Sequence, residues 1–171
     1  IDLIGATNTI TGDFIGAGES GSDDLKISQT GSTNTTALNV GASAATDDVK
    51  ILETRVGSSG ATTYTIGNAA TVQDVSVTVD VVGDDIDIAL TENSSSSGSD
   101  KTTDIDIATD SDDVDIIVTH TGAGAHKTKL LCTGACGTSD FTFNQTGANS
   151  TDVDLTVTNA TSSDVDITIT D

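Results

Sequence analysis

The chain has 171 residues with no Pro, Met or Trp, one Tyr and three Phe. That is enough for one domain, but its interior must be filled by Ala, Val, Ile and Leu, which excludes the thick aromatic core of many enzymes. A formal net charge of −21, from six Lys and Arg against 27 Asp and Glu, excludes nucleic acid and anionic lipid as partners and makes cations the natural counter-charges. Only three of the acids are Glu (Glu19, Glu53, Glu92), and the abundance of Asp, Thr, Ser, Asn and Gly favours strands and turns over helix.

Residues 1–23 open with the alternating tetrad IDLI and carry only faint copies of the repeat that begins at Asp24, so they are expected to form an atypical first coil or a strand donated to a neighbour. The start at Ile1 and the lack of Met suggest removal of a targeting segment, hence secretion. No apolar run approaches the ~18 residues needed to cross a bilayer, so no membrane span is expected. From Asp24 onward an Asp-apolar-x-apolar phrase recurs, as DLKISQ (24–29), DVKILE (48–53), DVSVTV (74–79), DIDIAL (85–90), DIDIAT (104–109), DVDIIV (113–118), DFTFNQ (140–145), DVDLTV (152–157) and DVDITI (164–169). Asp24 to Asp48 is 24 residues, and Asp140 to Asp152 to Asp164 runs in steps of 12, which predicts a period near 24 split into two half-repeats. Residues 24–171 thus form one β-repeat domain, interrupted by TENSSSSGSDKTT (91–103), which reads as an inserted loop.

The columns of the repeat describe a cross-section. One and three residues after each Asp stand apolar side chains such as Leu25 and Ile27, Val49 and Ile51, or Val165 and Ile167, while polar residues such as Lys26, Asp87 and Asp166 stand between them. Side chains alternate faces along a strand, so the first set points inward and the second to solvent. Leu52, Ile117 and Leu131 break the outer column and are candidates for a contact patch. Recurrence of one chemical type at one column favours an all-β solenoid with about two short strands per ~24-residue turn, and a β-sandwich is the alternative.

The stretch DLKISQTGSTNTTALNV (24–40) resembles the repeat of curlins, the subunits of curli fibres, through Gln29, Gly31 and Asn34, and DFTFNQTGAN (140–149) repeats the pattern with Gln145, Gly147 and Asn149. The resemblance implies a β-solenoid and a secreted, amyloid-like, biofilm-matrix fibre subunit. In the other repeats the Gln position holds Glu53, Val79, Leu90, Thr109, Val118, Val157 and Ile169, so the curlin Gln ladder is largely replaced by aliphatic residues.

No phosphate loop, nucleophile elbow or zinc-protease helix motif is present, and no enzyme activity is expected. The two histidines and two cysteines cluster in HTGAGAHKTKLLCTGAC as His120, His126, Cys132 and Cys136. These four could hold zinc or copper, but a Cys132–Cys136 disulfide around the Gly-containing turn is favoured for a secreted chain. Sequons at Asn34, Asn93, Asn144, Asn149 and Asn159 are candidate glycosylation sites.

Carboxylates two residues apart on one side of a strand repeat through the chain, and stacking brings them to about 4.8 Å from those of the next coil. No cofactor is required, but calcium is the ion such pairs invite, with Asp87, Asp106, Asp115, Asp154 and Asp166 as candidate ligands. A calcium-dependent adhesin or surface-layer module bound to a cell surface or matrix polysaccharide is therefore one alternative function. Outward Thr-x-Thr pairs at Thr156/Thr158 and Thr168/Thr170 raise ice binding as a lesser one. The leading expectation is an extracellular filament subunit that homopolymerises head to tail through Ile1, Leu3 and Ile4 at one end and Val165, Ile167 and Ile169 at the other.

Overall fold

A computed structural model describes residues 1–14, 23–41, 49–67, 74–93, 100–108, 111–134, 136–147, 149–158 and 160–170. The described residues contain no helix. One seven-stranded sheet holds β1 (Asp2–Ile4), β3 (Asp23–Thr30), β5 (Val49–Val56), β7 (Val75–Val82), β9 (Lys101–Ile107), β11 (Ala125–Cys132) and β13 (Ser150–Val157), in that order. The other holds β2 (Thr7–Phe14), β4 (Thr33–Val40), β6 (Ser59–Ile66), β8 (Asp85–Asn93), β10 (Ser111–Thr121), β12 (Cys136–Thr146) and β14 (Ser162–Thr170). Every described pairing is parallel and the chain alternates between the sheets, so the molecule is a β-solenoid of about 26 residues per turn and not a sandwich.

The core follows from the alternation. In β7, Val75, Val77, Val79 and Val81 are buried while Ser76, Thr78 and Asp80 are not, and the same parity holds in β8 with Ile86, Ile88 and Leu90 inside. The two inner faces meet across a thin interior of β-branched residues, joined by the larger rings of Tyr64, Phe141 and Phe143.

The register departs from the Asp-anchored reading. Val49 pairs with Val75 as the anchors require, but Leu25 pairs with Ile51 and not Val49, Ile27 with Glu53, and Gln29 with Arg55. Likewise Ile116 pairs with Phe141, two positions away from the anchor alignment, and only Asp140 to Asp164 keeps a step of 24. A two-residue slip preserves every inward side chain, so alternation cannot detect it. The turns between the sheets settle it in the first four coils. There Gly5, Gly31, Gly57 and Gly83 stack 26 residues apart, and a Cβ on Gly31 would lie 1.9 Å from Gly5 O, one on Gly57 2.0 Å from Gly31 O, and one on Gly83 2.3 Å from Gly57 O. The close approach lets the amides of Gly5, Gly31 and Gly57 continue the ladder to Thr30, Val56 and Val82 carbonyls at 2.9–3.0 Å.

Two other expectations change. The described part of the first coil, 2–14, pairs within this chain, β1 with β3 and β2 with β4 along its length, so it is not donated to a neighbour, although β1 is only three residues long and 15–22 lie outside the described residues. Of the expected loop 91–103, residues 91–93 belong to β8 and 101–103 to β9, with Glu92, Lys101 and Thr103 buried, while 94–99 lie outside the described residues.

Candidate functional site

Inward parity places charges as well as aliphatics in the interior. On β5, Glu53 and Arg55 occupy inward positions and face Thr36 of β4 and Thr62 and Tyr64 of β6. Glu53 Oε1 accepts from Thr36 Oγ1 at 2.7 Å, and Oε2 accepts from Thr62 Oγ1 at 3.0 Å and Tyr64 OH at 2.9 Å. Arg55 Nη1 donates to Thr62 Oγ1 at 2.8 Å, whereas Nη2 has no hydrogen-bond partner. Burial lowers the Arg55 pKa, and burial reinforced by the Glu53 carboxylate raises that of Tyr64.

A second polar layer lies at the other end of the strands, spanning β8 to β12. Glu92 of β8, His120 of β10 and Gln145 of β12 stack in one inward column and face Lys101 and Thr103 of β9 and His126 and Thr128 of β11. Thr103 Oγ1 donates to Glu92 Oε1 at 2.9 Å and lies 3.0 Å from His120 Nε2, which is 3.3 Å from Glu92 Oε2. Lys101 Nζ donates to Ala123 O at 3.3 Å and sits 3.5 Å from His126 Nε2, and the two imidazoles meet edge to face at 5.5 Å between centroids. Burial pushes the Glu92 carboxyl up to about 8, against the opposing pull of the Thr103 hydrogen bond and the Lys101 charge. Burial, with the neighbouring His126 and Lys101 charges, pushes His120 down to about 3. A hydroxyl, an imidazole and a carboxyl in contact are the ingredients of nucleophilic catalysis, but here all three side chains are fully buried. Sequence reasoning assigned this stretch to a loop; the signal that identifies it is that Glu92 shares the parity of Ile86, Ile88 and Leu90.

Cys132 and Cys136 are joined by a disulfide with Cα atoms 6.5 Å apart, tying β11 to β12 across the short turn. His126 lies at the start of β11, six residues and about 20 Å of extended strand from Cys132. The four zinc or copper candidates therefore sit at opposite edges of the solenoid, and that metal reading is corrected.

The five calcium candidates divide between the sheets. Asp87 pairs with Asp115, and their row continues through Asp140 to Asp164 as four carboxylates on successive rungs of the even-numbered sheet. Asp166 lies beside Thr142 on that sheet, whereas on the other sheet Asp106 lies beside Asp80 and Leu131, and Asp154 beside Lys129. The Asp115 pKa is raised by partial burial first, then by Asp113, Asp140, Asp87 and Asp85. Among the described residues no group of three or more ligating side chains converges on one point. All six Lys and Arg lie on strands of the odd-numbered sheet, where Lys129 Nζ pairs with Asp104 at 3.1 Å, and the even-numbered strands contain none. Leu52 and Leu131 are half-buried on the odd-numbered sheet and Ile117 is exposed on the other, so the three form no common patch.

The sequons are equally dispersed. Asn34 is removed from the glycosylation candidates, because its fully buried amide donates to Val56 O at 2.9 Å and Gly31 O at 3.3 Å while its Oδ1 accepts from Asn8. Asn93 is half-buried at the end of β8 and accepts the Thr121 hydroxyl, Asn144 points outward from β12, Asn149 is exposed, and Asn159 lies outside the described residues.

At the last described rung the inward Val165, Ile167 and Ile169 are 40%, 48% and 51% exposed, β14 being the edge strand of its sheet among the described residues. At the first rung Leu3 points inward above Gln29, but Ile4, 81% exposed, belongs to the outward column of Thr30 and Val56. Ile1 is exposed, and its amine donates to Lys26 O at 2.8 Å. Compared with protein-family models, with curated proteins and with solved structures, the chain matches none.

Proposed function

We propose that this chain is a non-enzymatic structural subunit of an extracellular filament, of the amyloid-like or biofilm-matrix kind, that grows by stacking solenoids end to end. The observation that carries the reading is the state of the terminal rungs: each presents a sheet edge whose backbone groups are paired on one side only, and the last leaves Val165, Ile167 and Ile169 partly exposed. Another solenoid supplies what the edge lacks, in the same hydrogen-bonding mode already used between rungs. The contact joins two different surfaces of identical subunits, so it propagates as a filament and does not close. The Cys132–Cys136 disulfide supports a secreted location, where such bonds persist, and the partial likeness to curlins implies the same role.

The reading is tested with Ile167→Asp, which sets a carboxylate on the inward face of the junction. Electron microscopy and sedimentation should show filaments for the natural chain and a folded, non-polymerising variant. A monodisperse natural chain at high concentration would contradict the proposal.

The four-carboxylate row favours a second reading, a calcium-dependent adhesin or surface-layer module engaging a cell surface or polysaccharide. Calcium should then raise the melting temperature beyond sodium chloride of matched ionic strength; equal effects would reduce the row to screened surface charge.

A further inference from the structure

Columns running through all seven rungs of the even-numbered sheet specify what a next subunit would meet. The inward column that begins at Asn8 ends at Ser163, the one that begins at Ile10 ends at Val165, and the one that begins at Gly12 ends at Ile167. The outward column that begins at Thr9 ends at Asp164. Within that outward column the first three rungs are neutral, Thr9, Thr35 and Ala61, and the last four are Asp87, Asp115, Asp140 and Asp164. Along this column each solenoid is therefore electrostatically polar, with a neutral head and an acidic tail, and the one carboxylate of the head rung on this face, Asp13, stands four residues further along β2, where it accepts from Asn39.

We infer, resting on the filament reading above, that the tail rung of one copy seats on the head rung of a second copy in the register the interior already uses, with Ser163 over Asn8, Val165 over Ile10 and Asp164 over Thr9. Charge selects this arrangement. Head to tail, Asp164 meets a threonine and the acidic row ends; tail to tail, two copies of β14 pair antiparallel and bring Asp164 and Asp166 of one copy beside those of the other, and like charges on neighbouring strands repel. Polar continuity selects the register. Asn8 Nδ2 donates to Thr30 O at 3.0 Å and to Asn34 Oδ1 at 2.9 Å, so the inner rung's amide oxygen accepts from the rung outside it. In the inferred junction the Ser163 hydroxyl donates to Asn8 Oδ1 and extends that relation by one rung. Packing agrees, since Val165 meets the aliphatic Ile10, and Gly12 leaves space for Ile167: nothing lies within 4 Å of where a Cβ on Gly12 would stand.

The test is oxidative cross-linking of the double variant Thr9→Cys/Asp164→Cys, whose Cα atoms in neighbouring in-register strands would lie about 4.8 Å apart, within the range for a disulfide. The control Thr7→Cys/Asp166→Cys is displaced by four residues, about 13 Å along the strand, and should not join. Expected is a ladder of covalent multimers on a non-reducing gel for the first variant, lost on reduction, and none for the second. Filaments visible by microscopy with no ladder from the first variant, with a ladder from the second, or with covalent dimers from Asp164→Cys alone would overturn the register or the polarity and leave the filament reading standing. Absence of filaments from the natural chain would overturn both.

Discussion

At the scale of the residue, the unusual feature is how much charge and polarity this narrow interior holds. Glu53 is satisfied by three hydroxyls supplied from the facing sheet, and its charge offsets that of Arg55 two residues on. Glu53→Ala leaves the guanidinium buried without its counter-charge and should lower the unfolding free energy by roughly 3 kcal/mol or more, read from urea denaturation. A loss of under about 1 kcal/mol, typical of an exposed pair, would contradict this account. The Glu92–His120 pair makes a different prediction. Glu92, raised from 4.5 to about 8, keeps its proton in the folded state after the unfolded state has lost it, so its contribution falls as pH rises through that window. His120, lowered from 6.5 to about 3, stays neutral after the unfolded state has protonated, so its contribution falls as pH drops through its own window. The two slopes cancel between 4.5 and 6.5, and stability is lost on either side, toward 8 and toward 3. His126 from the facing strand β11 shares this environment, and burial lowers its pKa from 6.5, which adds to the loss on the acid side; burial also lowers Lys101 from 10.5, so its contribution falls as pH drops below that value, outside the acid limb. Glu92→Gln should abolish the alkaline limb of the stability profile and retain the acid limb; an unchanged alkaline limb would show that Glu92 does not cause it.

At the scale of the element, the turn glycines determine how strands stack. A methyl group on Gly57 would collide with the Gly31 carbonyl, which is backbone and cannot move without breaking the ladder on both sides. Gly57→Ala should therefore cost about 3 kcal/mol or more, at or beyond the upper end of ordinary overpacking. Thermal unfolding against the natural chain measures this, and a melting temperature indistinguishable from the natural one would mean that the turns are not packed as described. The disulfide acts at the same scale on the other half of the molecule. It closes a short loop, for which chain entropy suggests about 2 kcal/mol, so Cys132→Ser/Cys136→Ser should weaken the later coils without abolishing the fold.

At the scale of the whole molecule, a charge of −21 is distributed unevenly, with every Lys and Arg on one sheet and an acid row without cations on the other. If copies assemble as proposed, this charge repels them at long range, so end-to-end growth should be slow at low ionic strength and accelerate with sodium chloride as the Debye length falls from about 30 Å at 0.01 M to about 10 Å at 0.1 M. Light scattering at a series of salt concentrations tests this, and growth rates independent of salt would mean that the acid faces do not oppose assembly.

The sequence by itself determined which residues face inward. That property is local: an Asp-apolar-x-apolar phrase in an extended strand sends the same side chains to the same face wherever the strand is placed, so Val75, Ile88 and Val165 were legible as inward positions and Lys26 and Asp87 as outward ones. Two strands per turn followed from the spacing of those phrases. Register was not legible from them, because a slip of two residues leaves every phrase equally content; the cue was instead the series Gly5, Gly31, Gly57, Gly83, whose meaning depends on carbonyls 26 residues away. Nor was the buried polar layer. Glu53, Arg55, Glu92 and Lys101 interrupt an apolar column when read along one strand; Thr36, Thr62, Tyr64 and Thr103 arrive from the opposite sheet to satisfy Glu53, Arg55 and Glu92, and Lys101 donates to Ala123 O, 22 residues away. Whether a buried charge is satisfied depends on partners distant in sequence, and only the tertiary structure decides which partners those are.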